Sequence, residues 1–135
     1  MASFHGDEDS LKDVLINAPL REIQLLESVK ADQSDMYRFG HGTERNPEKA
    51  WAILSQLYRK TDERRITKGK YADIVLRMGY CYRDGIGVEP DHKQAYESFM
   101  KAQKAIEARM KREPEYGDNV VANNIQKAIE SIGQH

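Results

Sequence analysis

Apolar residues recur at three- and four-residue steps along most of the chain, a spacing that places them on one face of an α-helix. The clearest stripe runs from Ala95 through Phe99 and Ala102 to Met110. No stretch shows the sustained apolar and polar alternation of a half-buried strand. The pattern therefore predicts an all-α protein, with helices at about residues 10–17, 20–30, 33–39, 47–60, 71–84, 91–112 and 118–132.

Capping residues mark several of the predicted helix boundaries. Asn46 followed by Pro47 is typical of an N-cap residue and a first helical position. Asp118 is predicted to cap the N-terminus of the last helix in the same way, and Asp91 is predicted to begin the helix before it. Gly85 is predicted to end its helix, because glycine adopts the left-handed backbone of a C-cap without strain.

The sequence repeats itself once. Residues 36–51 are echoed, with changes, by residues 81–96 at a constant offset of 45, as from Gly40 to Gly85. A fixed period of about 20–50 residues is typical of stacked supersecondary units. Such units supply extended binding surfaces, so we expect a surface for a partner and no catalytic chemistry.

The second copy carries a specific motif, MGYCYRDGIGVEPDHKQA, at residues 78–95. This segment resembles the Sel-one-like repeat, whose unit has Leu-Gly, an aromatic residue three positions after that glycine, Gly-x-Gly-Val, an aspartate, and then lysine and alanine. Met78 stands in place of the leucine. The first copy is degenerate, because Gln33 and Ser34 stand where Leu-Gly is expected and Thr43 replaces the valine.

The resemblance implies a tetratricopeptide-like α/α repeat, a superhelical stack of antiparallel helix pairs. It also implies a non-catalytic adaptor or scaffold without a cofactor. We expect a flexible N-terminus at residues 1–9 and a single helical repeat domain at residues 10–135. Within that domain, N-terminal capping helices are expected at 10–30, a degenerate repeat at 33–60, a second repeat at 71–112 and a C-terminal capping helix at 118–133.

Composition excludes several other classes of protein. The 135 residues include 21 Lys and Arg against 22 Asp and Glu, so the formal net charge is −1 and no overall field would gather nucleic acid or anionic lipid. No apolar run approaches the roughly 18 residues of a membrane span, and no signal-like start is present, so we expect a cytoplasmic location. One cysteine and four scattered histidines disfavour a disulfide, zinc or redox site.

The resemblance also predicts where another protein or peptide would bind. In such stacks the first helix of each pair lines the concave side, and its outward positions are expected to be free of packing contacts. Those positions are Arg38 in the first unit, and Asp73, Arg77 and Tyr80 in the second. Tyrosine and arginine are favoured at interface hot spots, so we expect Arg77→Ala to leave folding intact and to weaken partner binding.

Two alternatives stay open at this point. A regulatory protein would contact nucleic acid or another polyanion through the basic connector, formed by Arg59, Lys60, Arg64, Arg65, Lys68 and Lys70. A self-associating subunit would pair the apolar face formed by Val121, Ile125, Ile129 and Ile132.

Three residues of the motif have packing interpretations. Gly79 lies inside a helix, where glycine costs about 1 kcal/mol relative to alanine, so we expect it to allow a close helix crossing. Cys81 is interpreted as a buried, inert thiol, and a catalytic pair with His92 is not favoured. Trp51 is expected to pack between helices, with a partly exposed anchor as the alternative.

Overall fold

The computed structural model describes residues 20–60, 70–112 and 114–133. Within those ranges the chain forms five α-helices and no strand, which confirms the predicted all-α class. The helices are α1 (Leu20–Phe39), α2 (Pro47–Lys60), α3 (Tyr71–Asp84), α4 (His92–Arg112) and α5 (Asp118–Ile132).

Each helix packs against the next one along the chain, and α3 also contacts α5. This order is that of an α/α repeat, in which one helix pair stacks on its neighbour. The pairs are α1 with α2 and α3 with α4, and α5 takes the place of the first helix of a further pair. The predicted tetratricopeptide-like repeat fold is therefore confirmed.

The loops within the two pairs share the same hydrogen bonds at equivalent positions. In the first loop the Asn46 N–H donates to the Tyr37 carbonyl at 2.8 Å, and in the second the Asp91 N–H donates to the Tyr82 carbonyl at 2.8 Å. The offset of 45 residues in the sequence is thus also an offset between matching backbone contacts.

The predicted capping roles of Asn46 and Gly85 are confirmed, and Asp91 also acts as an N-cap, one residue before its helix begins at His92. The carboxamide oxygen of Asn46 accepts a hydrogen bond from the backbone N–H of Lys49 at 3.1 Å. The carboxylate of Asp91 accepts one from the N–H of Gln94, also at 3.1 Å. These bonds satisfy donors that the first helical turn leaves unpaired. Gly85 ends α3 in the left-handed region, with φ 71° and ψ 41°.

The core consists of two neighbouring clusters of buried side chains, and α3 contributes to both. Ala72, Val75 and Leu76 pack with residues of α4 and α5. Ile74 and Met78 instead pack with residues of α2. Because α3 contributes to both clusters, it connects α2 on one side with α4 and α5 on the other.

Gly79 marks a close helix crossing, as predicted. A Cβ atom at this position would overlap the Phe99 ring, which is fully buried. The alanines expected to suit this crossing, Ala95 and Ala102, are also fully buried on the same face of α4. The Phe99 ring of the neighbouring helix therefore occupies the space that a side chain at Gly79 would need.

The predicted break between residues 30 and 33 is wrong, because α1 is continuous from Leu20 to Phe39. Its buried positions include Glu27, Ala31 and Ser34, none of which is a large apolar residue. Conversely, two residues assigned to the apolar stripe are exposed, Leu25 by 67% and Val29 by 55%. Packing against α2 therefore extends the helix along a face that the apolar pattern does not reveal.

Ser34 occupies in the first pair the position that Gly79 occupies in the second. Its hydroxyl donates to the Ala50 carbonyl at 2.9 Å in a buried contact between α1 and α2. Ala50 is itself fully buried and is the equivalent of Ala95. A small side chain at this position thus preserves the close crossing where the repeat motif departs from glycine.

The apolar face of α5 is buried within the chain, so the predicted self-association surface is wrong. Ile125 is fully buried, Ile132 is buried, and both belong to the cluster shared with α3 and α4. Val121 and Ile129 are partly buried against the same cluster. The two isoleucines at the centre of the predicted surface, Ile125 and Ile132, are therefore not available to a second copy.

Several predictions fall on residues outside the described ranges. These are the flexible terminus at 1–9, the helix at 10–17, and Arg64, Arg65 and Lys68 of the basic connector. At the ends of that connector, Arg59 is exposed, and Lys70 lies 3.7 Å from the Glu115 carboxylate. The Lys70 N–H donates to the buried Glu27 carboxylate at 3.3 Å.

Cys81 is fully buried, and burial raises the pKa of its thiol from the ordinary 9.0 to about 12. Above pH 9 the unfolded chain releases this proton and the folded chain keeps it, so stability falls as pH rises from 9 towards 12. The slope for one proton is at most about 1.4 kcal/mol per pH unit. Burial, with the neighbouring Tyr58, raises the pKa of Tyr71 from 10.0 to about 12. Its contribution to the loss starts about one pH unit later and is smaller, because this side chain is partly exposed to solvent.

We therefore expect Cys81→Ala to flatten the decline in unfolding free energy between pH 9 and pH 10. Urea denaturation of both proteins at pH 8, 9 and 10 measures this slope independently of any constant packing loss. Parallel declines in the two proteins would contradict the titration of a buried thiol.

Candidate functional site

A groove opens where the C-terminal part of α1 and of α3 meet the side of α5. Its volume is about 460 Å³. The lining residues are Arg38, Phe39, Tyr80, Arg83, Asp84, Ile86, Asn124, Lys127, Ala128 and Ser131. Three helices that are distant in sequence therefore form one concavity, and two of its residues, Arg38 and Tyr80, belong to the predicted partner-binding set.

Stacked cations and aromatic rings form the centre of the groove. The Arg38 guanidinium lies 4.1 Å from the centroid of the Phe39 ring and 5.1 Å from that of Tyr80. The Arg83 guanidinium lies 5.0 Å from the Tyr80 centroid. Cation–π contacts of this kind hold both partners in place, so the groove presents an ordered set of side chains.

Arg83 is fully engaged by its neighbours. Its Nε and Nη2 donate to the two Asp84 carboxylate oxygens, each at 2.9 Å, and its Nη1 donates to Ser131 Oγ at 2.9 Å. These hydrogen bonds, led by Asp84, outweigh the effect of burial and raise the pKa of Arg83. The contact with Ser131 joins α3 to α5 across the groove.

Arg38 has weaker partners. Its side chain is 11% exposed, and its nearest described carboxylate oxygen, on Asp35, lies 3.9 Å away. Its Nε is buried and has no hydrogen-bond acceptor among the described residues. Burial lowers the pKa of Arg38, and the nearby Asp35 charge offsets only part of that effect.

Phe39 and Lys127 complete the groove from opposite sides. Phe39 is 53% exposed although it follows directly after Arg38 in the last turn of α1. Lys127 lies on the exposed side of α5 and has no ion pair within the described part of the chain. An apolar ring and an unpaired cation are thus both available to a ligand.

Arg77 does not line this groove, and the expectation that it is free of packing contacts is wrong. Its Nε lies 3.1 Å from both Asp35 carboxylate oxygens, and its Nη2 lies 3.0 Å from one of them. Its Nη1 also donates to the Asp73 carbonyl at 3.2 Å. Burial alone would lower the pKa of Arg77, but the hydrogen bonds and charge of Asp35 outweigh it and raise the pKa.

Arg77 thus ties α3 to α1, and its replacement by alanine would disturb this junction as well as any partner contact. The sequence could not reveal this, because Asp35 lies 42 residues earlier in the chain. Position Arg77 is therefore unsuitable for separating binding from folding.

Asp73 belongs to a second polar junction, away from the groove lining. Its carboxylate lies 3.7 Å from Arg109 Nη1. A second nitrogen of Arg109, Nη2, donates a hydrogen bond to the Asp118 carboxylate at 2.7 Å. Asp118 was predicted as an N-cap, and this is wrong. It is the first residue of α5, it accepts the Glu115 N–H at 2.8 Å, and it is buried against Arg109.

Sequence reasoning missed eight of the ten lining residues, among them Phe39, Arg83 and Lys127. Arg83 had an available signal, because it is the equivalent of Arg38 at the offset of 45 residues. Lys127 was overlooked because α5 was interpreted only as a cap. Phe39 resembled a buried helix residue, and its exposure follows from the position of α1 relative to α3.

Other candidate sites are occupied by packing. The rings of Trp51 and Tyr82 meet edge to face at 5.0 Å, which confirms that Trp51 packs between helices. Cys81 is buried whereas His92 is exposed. Within the described ranges, no group of three His, Cys, Asp or Glu side chains is arranged to hold a metal ion. None of the described helices is long and apolar enough to cross a membrane.

Comparison with known proteins agrees with the helical repeats. The family model of the Sel1 repeat matches residues 34–62 and 75–97. The first match includes the C-terminal part of α1 and all of α2, and the second includes most of α3 and the start of α4. No curated protein and no solved structure shows a significant match. Sel1 repeats are generally non-catalytic protein-interaction modules. Both helix pairs contain a matched segment and show the fold of a helical repeat, so the chain carries two Sel1-like repeats.

Proposed function

We propose that this protein is a non-catalytic adaptor or scaffold module that binds a segment of a partner protein in the groove between α1, α3 and α5. The single observation that carries the proposal is the exposed Phe39 ring beside the ordered Arg38 and Tyr80 side chains. The first helices of the stack supply the groove, and these helices form the concave side in the proposed arrangement.

The groove has the features of an interaction hot spot. Such sites are enriched in aromatic residues and arginine, and they gain affinity when their side chains are ordered before binding. Asp84 and Ser131 fix Arg83, and Arg83 and Arg38 both contact the Tyr80 ring. Folding has therefore already fixed these side chains, so binding of a partner would cost little further side-chain conformational entropy.

Cytoplasmic location forms part of the same proposal. Its support is the single cysteine, which is buried and reduced in the fold. Disulfides are rare in cytosolic proteins, so a structure that needs none suits that compartment.

We expect Phe39→Ala to reduce capture of the partner from the source cell by about tenfold, because truncation of a hot-spot residue costs more than about 1 kcal/mol. The matched control is Tyr96→Ala, since Tyr96 is also exposed and aromatic but lies on α4, outside the groove lining. Quantitative mass spectrometry of proteins retained by the wild type and the two variants measures the effect. Equal capture by Phe39→Ala and the wild type would contradict the proposed site.

A further inference from the structure

We infer that the groove takes an acidic peptide segment, in which two Asp or Glu side chains meet Arg38 and Lys127 and an apolar side chain between them meets Phe39. This inference rests on the proposed function and names the chemical class of the partner. It depends on the charges of the groove, their pairing within the fold and their separation on different helices.

The groove carries an excess of positive charge. Its lining includes the cations of Arg38, Arg83 and Lys127 and a single carboxylate, that of Asp84. Asp84 is committed to Arg83 by two hydrogen bonds of 2.9 Å. The charges left for a ligand are therefore those of Arg38 and Lys127.

The neighbouring carboxylate does not neutralise Arg38 at close range. Asp35 approaches Arg77 to 3.0 Å but Arg38 only to 3.9 Å. The Arg38 side chain is also largely removed from water, with 11% of its surface exposed. Electrostatic attraction strengthens where solvent is excluded, so an incoming carboxylate would gain more at Arg38 than at a fully solvated arginine.

The placement of the two cations on different helices favours two acidic side chains over one terminal carboxylate. Arg38 belongs to α1 and Lys127 to α5, and the side chains of Tyr80 and Arg83 from α3 lie in the same lining. A single carboxylate could pair with one of these two cations, whereas a segment with two acidic residues could pair with both. The volume of about 460 Å³ suits a short segment, because ligand pockets commonly measure about 300–1,000 Å³.

Nucleic acid fits the same groove less well. Its affinity comes mainly from many phosphate contacts to lysine and arginine, and the groove offers only Lys127 and Arg38, the latter paired at 3.9 Å with Asp35. The chain as a whole carries a formal net charge of −1, so it adds no attraction for a polyanion at longer range.

The test is a selection from a random heptapeptide library whose members have acetylated N-termini and amidated C-termini. We expect the full chain to enrich peptides with at least two Asp or Glu residues around an aromatic or aliphatic residue. The best such peptide is then titrated by fluorescence anisotropy beside its Asn and Gln counterpart. The acidic form should bind at least about tenfold more tightly, and the difference should shrink as salt rises because the contacts are ionic.

Two variants assign the charges. Lys127→Gln changes an exposed side chain and should weaken the acidic peptide about fivefold, while Lys104→Gln on α4 should leave its affinity unchanged. Arg38→Gln should weaken it further, with circular dichroism confirming that the helices are retained. A neutral peptide with a free C-terminal carboxylate and an eight-nucleotide single-stranded RNA serve as the competing ligands.

The inference is overturned if no acidic residues are enriched, if the amide counterpart binds equally well, or if either competing ligand binds more tightly than the acidic peptide. It is also overturned if Lys127→Gln has no effect. The proposed function is judged separately by the Phe39→Ala capture experiment. Capture that depends on Phe39, together with peptides lacking acidic residues, would leave the groove as the site and reject its acidic partner.

Discussion

Gly79→Leu is expected to lower the free energy of unfolding by about 3 kcal/mol or more, at the upper end of what overpacking of a core causes. A typical domain is stable by only about 5–15 kcal/mol. The variant should therefore unfold at clearly lower temperature and urea concentration than the wild type, or fail to fold at all.

The reason is the position of the Phe99 ring. A Cβ at Gly79 would overlap two carbons of the Phe99 ring and crowd a third, and the Phe99 side chain is fully buried, so it has no open space into which it can move. The Tyr80 ring meets Phe99 edge to face, with centroids 5.7 Å apart. For the smaller change Gly79→Ala, helix propensity alone would raise the free energy of unfolding by about 1 kcal/mol. The contact with Phe99 would lower it, so the two effects predict changes of opposite sign.

A second background decides between these two effects. Gly79→Ala should destabilise the wild type, but in a Phe99→Leu background, which lacks the ring, it should be neutral or stabilising by up to about 1 kcal/mol. Urea denaturation followed by circular dichroism gives all four stabilities. If Gly79→Ala has the same effect in both backgrounds, contact with Phe99 is not the reason for the glycine.

The repeat motif predicted the second helix pair well because its residues act locally. The N-cap at Asp91 and the left-handed turn at Gly85 depend on neighbours within a few residues. The close crossing at Gly79 also follows from a single residue type. Each of these features depends on the residue type at one position, so the sequence alone was sufficient to predict them.

The first pair shows where that reasoning fails. The buried face of α1 carries Glu27, Ala31 and Ser34, whereas Leu25 and Val29 are exposed. Hydrophobicity alone therefore assigns the wrong face. The offset of 45 residues held better information, since it aligns Ser34 with Gly79 and predicts a small residue at the crossing.

The groove was only half predictable for a related reason. Arg38 and Tyr80 were found from their positions on the first helices of each pair. The ion pair of Arg77 with Asp35 links residues 42 positions apart, and no local pattern signals it. The contribution of Lys127 depends on how α5 packs, so it appears only when the stack is assembled.

Arg109→Met is the second change with a large expected effect, a loss of about 3–5 kcal/mol, because it removes one partner of a buried ion pair. The side chains of Arg109 and Asp118 are 4% and 3% exposed, and two Arg109 nitrogens lie 2.7 and 3.1 Å from Asp118 Oδ1. Methionine fills much of the same volume. The loss would therefore come from the carboxylates of Asp118 and Asp73, which would keep their charge without this cation.

A double-mutant cycle with Asp118→Asn separates that charge effect from packing. Asparagine keeps an oxygen for the Glu115 N–H but removes the negative charge, so Arg109→Met should be less harmful in its presence, with a coupling of about 1–3 kcal/mol. Arg112→Met is the matched control, since Arg112 is exposed at the end of the same helix and should change stability by less than about 0.5 kcal/mol. Strictly additive losses would mean that Asp118 gains nothing from Arg109, and the junction of α3, α4 and α5 would then be held by its apolar contacts alone.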